Sequence, residues 1–262
     1  NQGHRMNKEI AMTSEDLGFL PATRLAELIR TKQLSPVEYM QALLARIEAH
    51  DPKVNAFAFF APDRAMDAAR AAETQLMSGD HIGRLHGVPV TIKDLAITRD
   101  MPTQQGSFIY EGHQPTEDTP MVPRLRDEGA IILGKTTTSE FGWKGVSQSP
   151  LTGITHNPWK FGYNAGASSA GAGAAAAAGF GPLHQGSDGA GSIRMPAHFC
   201  GVFGLKPSFG RVPYYPVSTG DLTSHNGPLT RTRPVPGGDG RPAPARLHHA
   251  GSRPGRLSRQ AT

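Results

Sequence analysis

Three segments of this chain place residues where they could do chemistry. Lys93 closes an apolar run, Val88-Pro89-Val90-Thr91-Ile92, and a lysine held in such surroundings loses much of its preference for the charged form. A lysine that is neutral near pH 7 can take a proton as a general base. Ser168 and Ser169 lie in Gly166-Ala-Ser-Ser-Ala-Gly171, where small neighbours let the backbone turn sharply. Ser192 follows Ser187-Asp188-Gly189-Ala190-Gly191, a loop able to aim successive N–H groups at one oxyanion. Together they fit a serine nucleophile activated by a lysine, a minority solution among hydrolases. Composition alone leaves a plainer reading open: a solvated lysine and two glycine-rich connectors.

Competing motifs fail on context. Gly129-Ala-Ile-Ile-Leu-Gly134-Lys135-Thr136 matches the phosphate-loop pattern at every fixed position. A phosphate cradle needs a flexible loop between strand and helix, whereas Ala-Ile-Ile-Leu reads as the strand itself. A nucleophile elbow is missing, because the residue two after Ser168 is Ala170. The eleven histidines, His248-His249 among them, show no ligand spacing, so no metal is expected. The single cysteine, Cys200, excludes a disulfide framework and a cysteine-based zinc cluster.

The elements that must position these residues alternate between helix and strand. Leu25, Leu28 and Ile29 recur at helical spacing, and Ser35-Pro36 then supplies an N-cap and first residue for a second helix. That helix carries Tyr39, Met40, Leu43, Leu44 and Ile47 and is expected to stop near Asp51-Pro52. A third helix is expected from Asp63 to Met77. The period changes at His86-Gly87, with a strand leading into Lys93-Asp94. A helix from about Met121 to Glu128 and a buried strand over 130–133 follow. The stretch Gly166–Gly191 is expected to form a helix over Gly173–Gly179 flanked by tight loops. This pattern predicts an α/β fold, a sheet core flanked by helices.

Hydrophobic residues make up 37% and charged residues 19% of the 262, a globular composition. The net charge of +5 is uneven: residues 231–262 hold seven Arg and one Asp, a net +6, which leaves the other 230 residues at −1. With five Pro and five Gly, that segment is too poor in apolar residues to offset chain entropy, and disorder is expected over 233–262. Seven arginines without interleaved aromatics supply charge and no specificity, so no nucleic-acid partner is expected. No run approaches the roughly 18 apolar residues of a membrane span, and no signal peptide is evident. The expected setting is the cytoplasm. Residues 1–11 read as a cloning remnant and a disordered start, which leaves 12–232 as the domain.

The quoted residues resemble the amidase signature family. Arg84-Leu-His-Gly-Val-Pro-Val-Thr-Ile-Lys93-Asp94 resembles its lysine strand, and Gly134-Lys-Thr-Thr-Thr-Ser-Glu-Phe141 the element after it. Asn157-Pro-Trp159 precedes the serine-rich loop. Gly186-Ser-Asp-Gly-Ala-Gly-Ser-Ile-Arg-Met-Pro196, Phe199-Cys-Gly-Val-Phe-Gly-Leu-Lys-Pro207 and Gly210-Arg-Val212 resemble the signature core. The resemblance implies a mixed sheet flanked by helices and hydrolysis of a small-molecule amide through a Ser-cisSer-Lys acyl-enzyme, with no cofactor. It implies Lys93 as base, Ser192 as nucleophile, and Ser168, 24 positions earlier, as the serine held in a cis peptide. The N–H groups of Gly189, Ala190, Gly191 and Ser192 would form the oxyanion hole. Asp188 and Arg194 would brace that loop, with Ser169 in support, Asp94 as a loop-fixing acceptor and Cys200 as a small buried hydrophobe.

Two departures matter. Alanines 167, 170 and 190 stand where the family has glycine, and each would be strained at positive φ. The resemblance runs through Asn226–Thr232 and then breaks, where family members continue with an apolar helix and a long further segment. A truncation or frameshift is therefore expected, with the C-terminal half of the fold missing. An inert fragment, an amidotransferase A-subunit relative that needs partner subunits, and assembly with copies of itself all stay open.

Overall fold

The computed structural model describes residues 12–217 and 223–232. The expected remnant at 1–11 and the expected tail at 233–262 lie outside the described residues. Helices α1 (Ser14–Gly18), α2 (Ala22–Arg30) and α3 (Pro36–Val54) lead into strand β1 (Phe57–Phe60) and helix α4 (Pro62–Ser78). Strand β2 (Pro89–Lys93), helix α5 (Met121–Asp127) and strand β3 (Ile131–Thr136) follow. Two small antiparallel pairs come next: β4 (Gln148–Ser149) with β5 (Gly153–Ile154), and β6 (His156–Asn157) with β7 (Lys160–Asn164). The chain continues through α6 (Ala170–Ala178), β8 (Leu183–Asp188), α7 (Arg194–Phe199), β9 (Phe203–Gly204) and β10 (His225–Thr230).

Six strands form one mixed sheet in the order β1-β3-β2-β8-β10-β9. The central β3-β2 and β2-β8 pairs are parallel and the outer pairs antiparallel, so the fold expectation of a mixed sheet with flanking helices is met. The main core joins α2, α3 and α4 to the sheet through Leu25, Ile29, Met40, Leu43, Ile47 and Leu133. Each such side chain stabilises the fold by about 1.5–3 kcal/mol relative to exposure.

Local chemistry explains the boundaries. Ser35 Oγ accepts from the N–H groups of Val37 at 3.0 Å and Glu38 at 3.1 Å, and Pro36 opens α3. The expected stop at Asp51-Pro52 is corrected: α3 runs on to Val54 with Pro52 inside it, and the left-handed Asn55 closes it by donating to Asp51 O at 2.7 Å. A proline this close to the end forfeits only the hydrogen bond its missing N–H would make. The phosphate-loop lookalike is strand, as expected: Gly134, Lys135 and Thr136 pair with β2. Gly134 is required there, since a Cβ would lie 2.2 Å from Phe59 O on the neighbouring β1.

The expectation of an alanine helix between loops is half right. The helix starts earlier, at Ala170, and the segment after it is strand β8. Almost the whole of α6 is buried, and its make-up of alanine and glycine is what lets it approach the sheet. A Cβ on Gly171 would sit 2.2 Å from Ala56 O and 2.5 Å from the Thr137 nitrogen, and one on Gly173 2.7 Å from Pro196 Cβ. Overpacking of this kind typically costs about 1–3 kcal/mol. Gly171→Ala should therefore lower the urea midpoint by at least that equivalent, whereas Gly145→Ala, where the nearest atom to a Cβ is Met195 Cε at 3.9 Å and φ is not left-handed, should lose less. Equal effects at the two sites would contradict the close-approach account.

Candidate active site

Lys93 is the last residue of β2 and is wholly buried. Its Nζ donates to Ser168 Oγ at 2.7 Å and to Ser187 Oγ at 3.0 Å, and its N–H donates to Gln185 Oε1 at 2.8 Å. Burial lowers its pKa to about 7, against the pull of the Asp188 carboxylate. Both side-chain partners are hydroxyls, so no carboxylate in direct contact locks the charged form.

Ser168 and Ser169 stand at the mouth of α6, and the Ala167–Ser168 peptide bond is cis. Ser169 stitches the helix to β8: its Oγ donates to Ser187 O and accepts from Ser187 N–H, each at 3.2 Å. Its own N–H donates to Ser192 O at 3.2 Å. Ser168 thereby touches Lys93, and its neighbour touches the Ser192 backbone. None of Ala167, Ala170 and Ala190 is at positive φ; the turns fall on Gly166 (φ +80) and Gly191 (φ +116). The alanine substitutions are thus free of the strain considered for them.

Asp188 organises the loop that carries Ser192. Its carboxylate accepts from the N–H groups of Gly191 at 2.7 Å, Ile193 at 3.2 Å and Arg194 at 3.3 Å. The Arg194 guanidinium adds two contacts at 3.0 Å. Burial works to raise the Asp188 pKa, but these donors outweigh it and hold the group at about 2. The N–H of Gly191 is therefore already engaged. Of the four expected oxyanion donors, those of Gly189, Ala190 and Ser192 have no hydrogen-bond partner among the described residues. Ser192 itself is half-buried.

A cavity of about 210 Å³ opens beside Lys93, lined on one side by Gln185, Ser187 and Asn226 and on another by Leu95, Phe141 and the 214–217 segment. A larger groove of about 640 Å³ runs over Arg124, His184 and Pro228 and holds none of the expected site residues. Among the described residues no cluster of His, Cys, Asp and Glu is gathered to hold a metal. No described helix is long and apolar enough to cross a membrane. Ser187 and Gln185 went unread as site residues. The strand that carries them has few β-branched residues and looked like loop, although Ser187 stood inside the quoted motif.

The Amidase family model matches residues 38–233. The chain belongs to the amidase signature family. An acylamidase of Rhodococcus erythropolis is 43% identical over 223 residues, which is 84% of this chain and 46% of that one. The A-subunit of the glutamyl-tRNA(Gln) amidotransferase of Rhodopirellula baltica is 43% identical over 194 residues, 74% of this chain and 39% of its own. The crystal structure of a bacterial aryl acylamidase of the same family superposes with a TM-score of 0.76 at 34% identity, covering 82% of this chain and 45% of that one. This amidase signature chain thus spans about half the length, or less, of the relatives it matches.

Lys93 should leave a mark on stability. Between about pH 7 and the unfolded value of 10.5, the unfolded chain holds a proton that the native chain lacks. Raising the pH through that window therefore favours the native state, by up to about 1.4 kcal/mol per pH unit from this group. Urea unfolding at several pH values should show the wild-type gain exceeding that of Lys93→Met. Parallel curves would mean that Lys93 titrates normally.

Proposed function

We propose that this chain carries the hydrolytic residues of an amidase, cleaving a carboxamide to a carboxylate plus ammonia or an amine through an acyl-enzyme on Ser192. The observation that supports it most is the buried Lys93 Nζ at 2.7 Å from Ser168 Oγ. At a pKa of about 7, the amine is neutral often enough to accept a proton rather than donate one.

In this reading Ser192 Oγ adds to the amide carbonyl carbon, its proton passes to Ser168 Oγ, and the Ser168 proton passes to Lys93 Nζ. The Asp188 carboxylate favours the ammonium that forms. The negative oxygen faces the N–H groups of Gly189, Ala190 and Ser192. Collapse breaks the C–N bond while the relay runs backwards and delivers a proton to the leaving nitrogen. Water then attacks the Ser192 ester by the same route and releases the acid. Every proton is moved by side chains of the chain itself, without a cofactor. Asp188, Arg194 and Ser169 act by holding the loops.

The likeness to amidotransferase A-subunits favours a second reading, in which the same residues release ammonia from glutamine in a complex with partner subunits. The two separate on substrate, simple amides against glutamine, and on whether partner subunits co-purify. A cytoplasmic setting belongs to either reading and rests on composition.

A fluorophosphonate needs no choice of substrate. It should label Ser192, and the rate should fall by about 10²–10⁴-fold in Lys93→Ala if the lysine is the base, with a comparable loss in Ser168→Ala. An adduct on another serine, or labelling indifferent to Lys93→Ala, would overturn the assignment. A folded chain without labelling would mean that the residues are present but do not work on this scaffold.

A further inference from the structure

Two strands of the site separate just before Lys93. Strand β8 stays paired with β10 out to Asp188, which lies opposite His225. Its pairing with β2 covers only Val90 opposite Leu183 and Thr91 opposite His184. The N–H of Lys93 therefore lies beyond that ladder, and a buried N–H rarely goes without a partner. The side chain of Gln185 takes it, Oε1 accepting at 2.8 Å.

Gln185 is one link of a longer string. Its Nε2 donates to Gly186 O at 2.8 Å and to Asn226 Oδ1 at 3.0 Å. Asn226 Nδ2 then donates to Pro213 O at 2.9 Å. A main-chain donor stands at one end and main-chain acceptors at the other, so each amide has only one orientation that satisfies it. Both side chains are buried, and a fully paired buried network fixes the groups it joins. The string begins at the backbone of Lys93 and ends where the chain enters the 214–217 wall of the 210 Å³ cavity. That wall is tied again by the Tyr215 hydroxyl, which donates to Glu117 Oε1 at 2.8 Å.

We propose that Gln185 is a positioning residue of this site: it holds the Lys93 end of β2 across the gap between the strands and, through Asn226, keeps the cavity wall in step with it. The part of Lys93 as proton acceptor rests on the amidase reading; the tether does not. A side chain in place of a ladder bond keeps the strands apart at the level where Lys93 Nζ meets Ser187 Oγ of β8. Burial is what lowers the Lys93 pKa, so closing this end of the strand also keeps the amine neutral. The charges around it are few. Asp188 on β8 favours the ammonium and is itself paired with Arg194 of α7. From α6 comes the Ser168 hydroxyl, and from β3 Thr136 lies opposite. Tyr214 and Tyr215 line the cavity with it, while Lys135 and Asp94 pair on the other face.

The test follows fluorophosphonate labelling of Ser192 against pH in the full chain, together with hydrogen exchange at the Lys93 amide. In Gln185→Met, similar in length but without the amide, exchange at Lys93 should rise at least about tenfold. The plateau labelling rate should fall about ten- to hundredfold. The pH midpoint should move up from about 7 by roughly one unit as the amine regains water. Asn226→Leu should move the same readouts less, and the double variant should be no worse than Gln185→Met alone. Leu76→Ala, in the core beneath α4, is the control: it should lower the urea midpoint and leave the pH midpoint in place. An unchanged pH midpoint or Lys93 exchange in Gln185→Met, or additive effects in the double variant, would overturn the proposal. A chain that is never labelled, yet whose Lys93 amide is released by Gln185→Met, sinks the hydrolytic reading and leaves the tether. Labelling with wild-type pH dependence in Gln185→Met sinks the tether alone.

Discussion

The structure depends on keeping one lysine out of water without giving it a counter-charge in contact. Its sheet holds two buried lysines one register step apart, Ile92 opposite Lys135 and Lys93 opposite Thr136, so they leave on opposite faces. Lys135 has a carboxylate, Asp94, at 3.7 Å, and carbonyls of Ala96 and Pro102 with the hydroxyl of Thr103 around its ammonium. Burial pulls its pKa down to about 8 and pushes Asp94 up to about 6, and each opposes the other's loss of charge. Lys93 has Ser168 and Ser187 instead. The same residue type in one sheet thus sits beside an acid on one face, with its pKa at about 8, and beside two alcohols on the other, with its pKa at about 7. The difference lies in whether the neighbour is an acid or an alcohol.

The remaining architecture follows from supplying those alcohols. Ser168 can reach Lys93 because α6 lies close on the sheet, and α6 can do so because it presents alanine and glycine. Ser187 is there because β8 runs parallel to β2. Asp188, the last residue of that strand, turns the chain into the Ser192 loop by gathering backbone and guanidinium donors. That carboxylate therefore serves geometry and electrostatics together. It fixes the loop through Gly191 and Ile193, and it biases Lys93 toward the protonated form.

Residue types and spacing made the candidate site legible before the fold was. The apolar run ending at Lys93 and the two serine loops are segments the fold brings close together, with Lys93 Nζ on Ser168 Oγ and the Ser169 N–H on Ser192 O, and helical periodicity located α2, α3 and α4 closely. The strands on the far side of Lys93 were not legible. Leu183-His-Gln-Gly-Ser-Asp and His225-Asn-Gly-Pro-Leu-Thr lack the β-branched alternation that marks a strand, because their polar residues are spent across the sheet. Gln185 reaches both the Lys93 N–H and Asn226. His184, buried between Thr91 and the Gly181 carbonyl, has its pKa lowered to about 4 by burial. A strand made of such residues looks like loop until its neighbours are known. Pro52 misled for a different reason: a proline ends helices by what it removes, and near a terminus it removes little.

At Gly171, α6 meets the backbone of Ala56 and Thr137 at the rim of the sheet directly, and that has a consequence for how such a site can diversify. Larger side-chain contacts can be retuned one methylene at a time, but a contact of glycine with backbone, flanked by alanine methyls, offers no rotamers to adjust. The position of Ser168 is accordingly stiff against gradual sequence change. The cavity beside Lys93 is walled in part by the loop after Lys93 and by the 214–217 segment, whose side chains can be exchanged without touching the helix. Change is then easiest at the rim, while Lys93, Ser168 and Ser187 keep their places as a single rigid unit.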